Sequence, residues 1–293
     1  MSILSSSGHT PRVSSLNLCF YGAGSMAEAV VRGLLNKKLT ESSRISMFNR
    51  SNADRLAELQ SKYGVVVSGS PEEQLDMLRD ADVIFLTMKP KDAAEALRRL
   101  SAIVNPNQLL VSVIAGLSLN TIELLLGKRI PTVRTMPNTS STIGLGATGV
   151  SFSSSCSDEH RQIALAMFEA FGLTTVVEET MLEAVTGLSG SGPAYIYYMM
   201  EAMMQAGEEL GLSVEAAREL TIQTVLGAAH MVKSTGETPA DLRRKVTSPN
   251  GTTQAAIETM NQHEFTQGVI RAIKRASERA AEMGLEIERS AMA

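Results

Sequence analysis

Along the first 180 residues, short runs suited to strands alternate with stretches whose apolar positions recur at helical spacing; beyond them the helical spacing alone persists. The strand-like runs are Leu16 to Tyr21, Arg44 to Phe48, Val65 to Val67, Asp82 to Leu86, Leu109 to Ile114, Thr132 to Met136 and Thr174 to Val177. Between the first two, Val30, Val31, Leu34 and Leu35 mark a helix running from Glu28. Ser70-Pro71-Glu72-Glu73 predicts a second helix, with proline at its first position and acids in its first turn, and Pro90 starts another. Residues 158 to 171 carry one more, whereas the low-complexity run Ser151 to Ser157 reads as an exposed turn. Strand and helix in alternation predict a mostly parallel sheet covered on both faces.

The second half begins at Leu188-Ser189-Gly190-Ser191-Gly192-Pro193-Ala194-Tyr195. Glycines and serines ahead of a proline predict a tight bend, with Pro193 in the first turn of a following helix, where its missing N–H is tolerated. From Ala194 to Met204 nearly every face is apolar, so that helix is expected to be buried on all sides, in a core or against a second subunit. Gly211 ends it, Ser213 caps the next, and Leu220, Val225, Ala228 and Val232 form the inner face of a helix running to about Ser234. Thr238-Pro239-Ala240-Asp241 has the spacing of a capping box and opens a short basic helix with Arg243, Arg244 and Lys245. A hydroxyl-rich loop, Val246 to Thr253, precedes a final helix from about Glu264 to Met283.

Composition narrows the classes. With 293 residues the chain is long enough for two cores, and a formal net charge of -4 gives no electrostatic reason to expect nucleic acid or an acidic membrane as partner. No segment approaches the roughly 18 uninterrupted apolar residues of a membrane span. Residues 1 to 14 lack the basic start and apolar centre of a signal peptide and read as a flexible tail. Two cysteines, Cys19 and Cys156, fit a reduced, cytoplasmic protein. No pattern of ligands calls for a metal.

The chemistry starts at Gly22-Ala23-Gly24-Ser25-Met26-Ala27, a G-x-G-x-x-A between a strand and a helix. Gly22 makes the turn, Gly24 admits a pyrophosphate against the backbone, and Ala27 lets helix and strand pack closely. Asn49-Arg50-Ser51, after the second strand, offers no carboxylate to a ribose 2′-OH; it offers an amide, a guanidinium and a hydroxyl, which favour a 2′-phosphate. NADPH is therefore expected over NADH. Met88, Lys89, Pro90, Ala115, Gly116 and Asn138 fall beyond the carboxyl ends of later strands, where ligands of open sheets collect. The fold expected is an α/β dinucleotide-binding Rossmann-like domain, residues 15–180, followed by an all-α domain, residues 181–293.

A nicotinamide cofactor transfers hydride, and a carbonyl acceptor would need an acid for the alkoxide formed. No lysine lies between Lys128 and Lys233 and no histidine between His160 and His230. That suits a cyclic imine, whose protonated nitrogen is already electrophilic, better than a hydroxyacid. A different small-molecule reductase, or a nucleotide-binding paralogue without catalysis, stays open on this reasoning.

The glycine motif, Met88-Lys89-Pro90, Met136-Pro137-Asn138-Thr139, the run Ala184 to Tyr195 and Val246-Thr247-Ser248-Pro249-Asn250-Gly251-Thr252-Thr253 occur in that order. Together, over Leu16 to Met283, they resemble bacterial-type Δ1-pyrroline-5-carboxylate reductase. The resemblance implies reduction of L-1-pyrroline-5-carboxylate to L-proline by NAD(P)H, the last step of proline biosynthesis. It implies a homodimer formed through the helical domain, and assembly of dimers into a larger ring such as a decamer. It also implies that Thr253 contacts the ring nitrogen or carboxylate as the catalytic residue. Val246, Thr247, Ser248, Gly251 and Thr252 would hold the carboxylate, and Glu179 would be a substrate-proximal acid. Two departures stand out: Asn250 replaces a glycine common in the motif, and Lys245 and Ser70-Pro71 stand where some relatives carry asparagine.

Overall fold

A computed structural model describes residues 13–292. By contact the chain forms two units, one of residues up to Gly190 together with those from Ala276 onward, the other Ser191–Arg275. Most of the tail expected over residues 1 to 14 lies outside the described residues, but Val13 is already buried in the first unit's core.

The first unit alternates β1 (Leu18–Tyr21), α1 (Ser25–Asn36), β2 (Ile45–Phe48), α2 (Ala53–Tyr63), β3 (Val66–Val67), α3 (Pro71–Asp80), β4 (Val83–Leu86), α4 (Ala93–Ser101), β5 (Leu109–Ser112), α5 (Leu119–Leu126) and β6 (Thr132–Met136). It continues with β7 (Gly146–Phe152), α6 (Asp158–Glu169), β8 (Gly172–Val176) and the short α7 (Leu182–Val185). Among the described residues the strands form one sheet in the order β3-β2-β1-β4-β5-β6-β7-β8. All neighbouring strands are parallel except β6 and β7, which run antiparallel. Chain order reverses between β1 and β4, the switch point at which such sheets open a crevice for ligands.

Burial follows from that position. β4 and β5, in the middle, are buried at every residue; β4 is wholly apolar and β5 apolar up to Ser112, as suits strands covered on both faces. One face packs on α1 and α6 through Phe20 and Phe85, stacked 4.4 Å apart, with Phe168 and Phe171 beyond them. Truncating any of these rings to alanine would cost roughly 3–5 kcal/mol. The other face packs on α3, α4 and α5. Both cysteines are buried and unbridged, and burial pushes the Cys19 thiol up to about 12.

Two stretches here differ from the sequence expectation. Ser151 to Ser157 is not an exposed turn throughout: Ser151 and Phe152 end β7, and Ser151 and Cys156 are buried. A strand of sequence Gly-Ala-Thr-Gly-Val-Ser-Phe carries too few β-branched or aromatic side chains to announce itself. In the Leu188–Tyr195 stretch the bend is confined to Ser191, with helical structure on both sides of it. α7 continues into a π-helical turn over Thr186–Gly190, and a further helix starts at Gly192 with Pro193 in its first turn. Small residues permit the wider turn, and Thr186 and Ser189 hydroxyls donate back to the Leu182 and Val185 carbonyls, closing it from within.

The second unit contains α8 (Gly192–Glu209), α9 (Val214–Thr235), α10 (Pro239–Lys245) and α11 (Thr252–Gln262); α12 (Phe265–Met292) starts there and ends in the first unit. Ser213 and Thr238 cap α9 and α10, accepting from the Ala216 and Asp241 N–H groups. No residue of α8 is fully buried within the chain: one side is half-buried against α9, while the rest stays open, with Tyr198 77% exposed. On α9 the inner face is made by Ala217 and Thr221, with Val225 and Val232 half-buried; Leu220 and Ala228 point outward. α11 had no counterpart in the hydrophobic pattern, and α12 runs nine residues past Met283. No helix among the described residues is long and apolar enough to cross a membrane.

Candidate functional site

The glycine loop is shaped by three neighbouring strand ends. Gly22 takes φ +122, and a Cβ there would lie 2.6 Å from the Thr87 carbonyl carbon, so the β1 and β4 ends meet only across a glycine. Its N–H donates to Phe48 O at 3.0 Å, and the Thr87 hydroxyl donates to Gly22 O at 2.8 Å. Gly24 sits at the N-cap of α1 with no side-chain cap, and a Cβ on it would meet nothing within 4 Å. Open space therefore stands over an uncapped helix N-terminus whose first-turn N–H groups, at Ser25, Met26 and Ala27, lack intrahelical partners. That is the cradle a pyrophosphate needs. Ala23 and Ala27 are buried behind it.

Arg55, on α2, is the residue that sequence reasoning missed here. Its Nε donates to Ala23 O at 3.2 Å, and its two other nitrogens pair with Glu58 and with Glu28 on α1. Glu28 also accepts from Lys62 Nζ at 2.8 Å and Tyr63 Oη at 2.7 Å. Burial raises the Glu28 pKa, but the hydrogen bonds from Lys62, Arg55 and Tyr63 outweigh it and hold the carboxyl down at about 2. The loop is thus pinned from behind by a charged cluster. Nothing local in the sequence marks this, because the partners lie 27 to 35 residues apart.

At the end of β2, Asn49 spends its amide on its own loop, accepting from the Ser51 and Asn52 N–H groups and donating to Asn52 O. It builds the turn that presents Arg50 and Ser51. Both are exposed, and Arg50 Nη1 lies 3.2 Å from Asp92 Oδ1 on the loop after β4. That loop also carries half-buried Met88 and Pro90 and exposed Lys89. Ala115 is half-buried after β5, whereas Gly116 at φ +78 is buried against α12. A Cβ on Gly116 would be 2.7 Å from Gly284 N, so helix packing accounts for its glycine.

Asn138, after β6, is buried and committed at both ends: its Nδ2 donates to Ser189 O at 3.0 Å and its Oδ1 accepts from Ala147 N–H at 3.3 Å. It ties the sheet edge to the π turn. Glu179 Oε1 accepts from the Leu119 N–H at 2.7 Å, in the first turn of α5, and from Arg134 Nη1 at 3.2 Å. The same guanidinium, 5% exposed, donates to Glu183 Oε1 at 2.7 Å. The structure therefore places the Glu179 carboxylate on a buried arginine and a helix end.

In the second unit the hydroxyl loop resolves into the entry to α11. Asn250 adopts φ +56, the left-handed conformation that the glycine of related motifs reaches freely and asparagine tolerates. Its N–H donates to Gln254 Oε1, and Gly251, the N-cap, donates to Ser248 O. The Thr252 and Thr253 N–H groups start the helix, and Gly251 has no side chain to cap them. Thr247 Oγ1 is committed to Arg243 O at 2.7 Å. Among the described residues, no hydrogen bond within the chain engages the hydroxyls of Ser248, Thr252 and Thr253. Val246 is exposed. N–H groups, hydroxyls and a positive helix end at one place offer donors suited to an anion. Among the described residues, no three His, Cys, Asp or Glu side chains gather as metal ligands would.

Comparison with known proteins gives two family matches: "Pyrroline-5-carboxylate reductase dimerisation" over residues 179–283, and "NADP oxidoreductase coenzyme F420-dependent" over residues 17–116. Pyrroline-5-carboxylate reductase 1 of Bacillus spizizenii is 41% identical over 274 residues, 94% of this chain and 91% of the relative. Pyrroline-5-carboxylate reductase of Pseudomonas aeruginosa is 37% identical over 279 residues, 95% of this chain and 98% of the relative. The solved Coxiella burnetii pyrroline-5-carboxylate reductase superposes with TM-score 0.83 at 37% identity, over 92% of this chain and 99% of that one. A Plasmodium falciparum pyrroline carboxylate reductase with NADP bound gives 0.84 at 26% identity, over 92% and 99%.

Proposed function

The chain belongs to the pyrroline-5-carboxylate reductase family, and from that premise we propose how its own residues divide the work of the reaction. It reduces the C=N bond of 1-pyrroline-5-carboxylate to give proline, with NAD(P)H as reductant, in proline biosynthesis. It does so as a homodimer built on its helical domain.

The nicotinamide dinucleotide, when bound, supplies the hydride that the imine carbon receives. Holding it falls to the glycine loop: the first-turn N–H groups of α1 take the pyrophosphate over Gly24, and Arg55 keeps the Ala23 carbonyl side of the loop in place. Arg50 and Ser51 take a 2′-phosphate, so NADPH is preferred; Asn49 shapes their turn. Met88, Lys89, Pro90 and Ala115 line the strand ends beside them.

The substrate's exocyclic carboxylate goes to the start of α11, with the Thr252 and Thr253 N–H groups and the Ser248 and Thr252 hydroxyls donating. Thr253 Oγ1 accepts from the protonated ring nitrogen, whose positive charge draws the hydride to the adjacent carbon. The nitrogen gains the electron pair of the C=N bond, and no separate cationic acid is required. Glu179 acts one step removed: with Arg134 it fixes the segment that runs through α7 into the π turn. The observation that carries this reading is the uncapped, hydroxyl-bearing first turn of α11. Cytoplasmic residence is supported by two buried, unbridged thiols, and the dimer by α8, none of whose residues is fully buried within the chain; a larger ring of dimers rests on the family resemblance alone.

Thr253→Ala tests the assignment. It keeps both backbone N–H groups and removes one hydrogen bond to a charged group, so kcat/KM should fall roughly 10- to 100-fold. The dissociation constant for NADPH should stay within about twofold. Equal losses in both would mean that the loop is structural and the substrate assignment wrong.

A further inference from the structure

Arg50 is not idle in the absence of a phosphate: Asp92 Oδ1 lies 3.2 Å from its Nη1. Asp92 stands at the N-cap position of α4, where an aspartate ordinarily accepts from the helix's own N–H groups, yet it makes no such bond. Its carboxylate turns instead across the switch point, from the loop after β4 to the loop after β2. The two strands that carry these loops are separated in the sheet only by β1, which carries the glycine loop. Lys89 and Lys91, on either side of Asp92, are both exposed.

We propose that Asp92 is a specificity-determining residue that holds Arg50 where a cofactor 2′-phosphate would, so that binding NADPH exchanges one anion for another while binding NADH leaves the pair intact. The inference rests on the reading of Arg50 as the 2′-phosphate residue. Asp92 occupies Nη1, so a phosphate gripping the end of the guanidinium through both Nη atoms must displace the carboxylate, and one gripping the Nε–Nη2 edge must sit close to it. Left in place, the carboxylate would stand as a like charge beside the phosphate. The pair is open to water, Arg50 being 77% and Asp92 31% exposed, so the exchange is easy and its effect modest. In this arrangement Arg50 supplies the preference for the phosphorylated cofactor and Asp92 narrows it by weakening NADPH binding alone.

The test separates this from the reading beneath it. The full-length protein would be titrated calorimetrically with adenosine 2′,5′-bisphosphate and with adenosine 5′-monophosphate, which differ by the 2′-phosphate alone. Asp92→Asn keeps the shape and the helix-capping capacity of the side chain and removes its charge. It should bind the bisphosphate about two- to fivefold tighter, the range an exposed ion pair spans, and the monophosphate unchanged. Arg50→Ala should weaken the bisphosphate alone, and in Arg50→Ala/Asp92→Asn the gain from removing Asp92 should vanish. If Arg50→Ala weakens the bisphosphate while Asp92→Asn does nothing, or tightens both ligands equally, the role of Asp92 is overturned and that of Arg50 stands. If Arg50→Ala leaves both affinities unchanged, the 2′-phosphate assignment falls and this inference with it.

Discussion

Glu28 shows how much of a binding loop depends on one side chain that touches no ligand. Its carboxyl is held at about 2 against an ordinary 4.5, so it is ionised in the fold at pH values where the unfolded chain would take up a proton. The stabilisation is therefore complete above about 4.5 and is lost as pH falls through about 2. Glu28→Gln should lower the melting temperature at neutral pH, and the gap to the native protein should narrow steadily as melting is followed down toward pH 3. A gap independent of pH would mean that the charge of Glu28 contributes nothing. The turn made by the glycines was legible in the sequence because its geometry is local to a strand–turn–helix. Arg55, Lys62, Tyr63 and Asp92 were not, because each acts on a partner that only the folded chain brings near. Asn49, Asn138 and Gly116 were picked out by position, and each proves to shape the backbone: Asn49 builds a turn, Asn138 ties the sheet edge to the π segment, and Gly116 admits a helix.

At the scale of elements, the strands of the first unit could be read because central strands buried on both faces are apolar at nearly every position. β7 and α11 could not, being rich in Gly, Ala, Ser and Thr, whose pattern fits turn, strand or helix alike. The π turn was hidden for the same reason. The last part of α12 packs on the loop after β5 across a glycine pair: a Cβ on Gly284 would lie 2.6 Å from Gly116 O, too close for any side chain without movement of backbone. Elsewhere in the same helix a Cβ on Gly268 would meet nothing within 4 Å. Substitution by alanine should therefore have opposite signs at the two positions. Gly284→Ala should lower stability by at least about 1 kcal/mol, overcoming the helix propensity it gains, and Gly268→Ala should leave stability unchanged or raise it by up to about 1 kcal/mol. Chemical denaturation of both variants checks this; a shared sign would mean that the close approach of Gly116 and Gly284 does not govern the packing.

At the scale of the molecule, the sequence left open whether α8 is covered by its own chain or by a second subunit, and the single chain leaves much of it exposed, which favours the second. Tyr197 and Tyr198 remain largely exposed in the single chain, with Ile196 also exposed beside them on the helix that carries the dimerisation match. Tyr198→Glu should leave the fold intact, judged by circular dichroism, and shift sedimentation from a dimer or larger species toward the monomer. A dimer unmoved by that charge would place the interface elsewhere.

The most direct measurement follows the nicotinamide absorbance of NADPH when the purified protein meets 1-pyrroline-5-carboxylate, with proline quantified at the end. Consumption of NADPH matched one for one by proline formed is the expected result. Tight NADPH binding with neither absorbance loss nor proline would contradict the account, leaving a chain that keeps the cradle and the carboxylate site but performs no reduction.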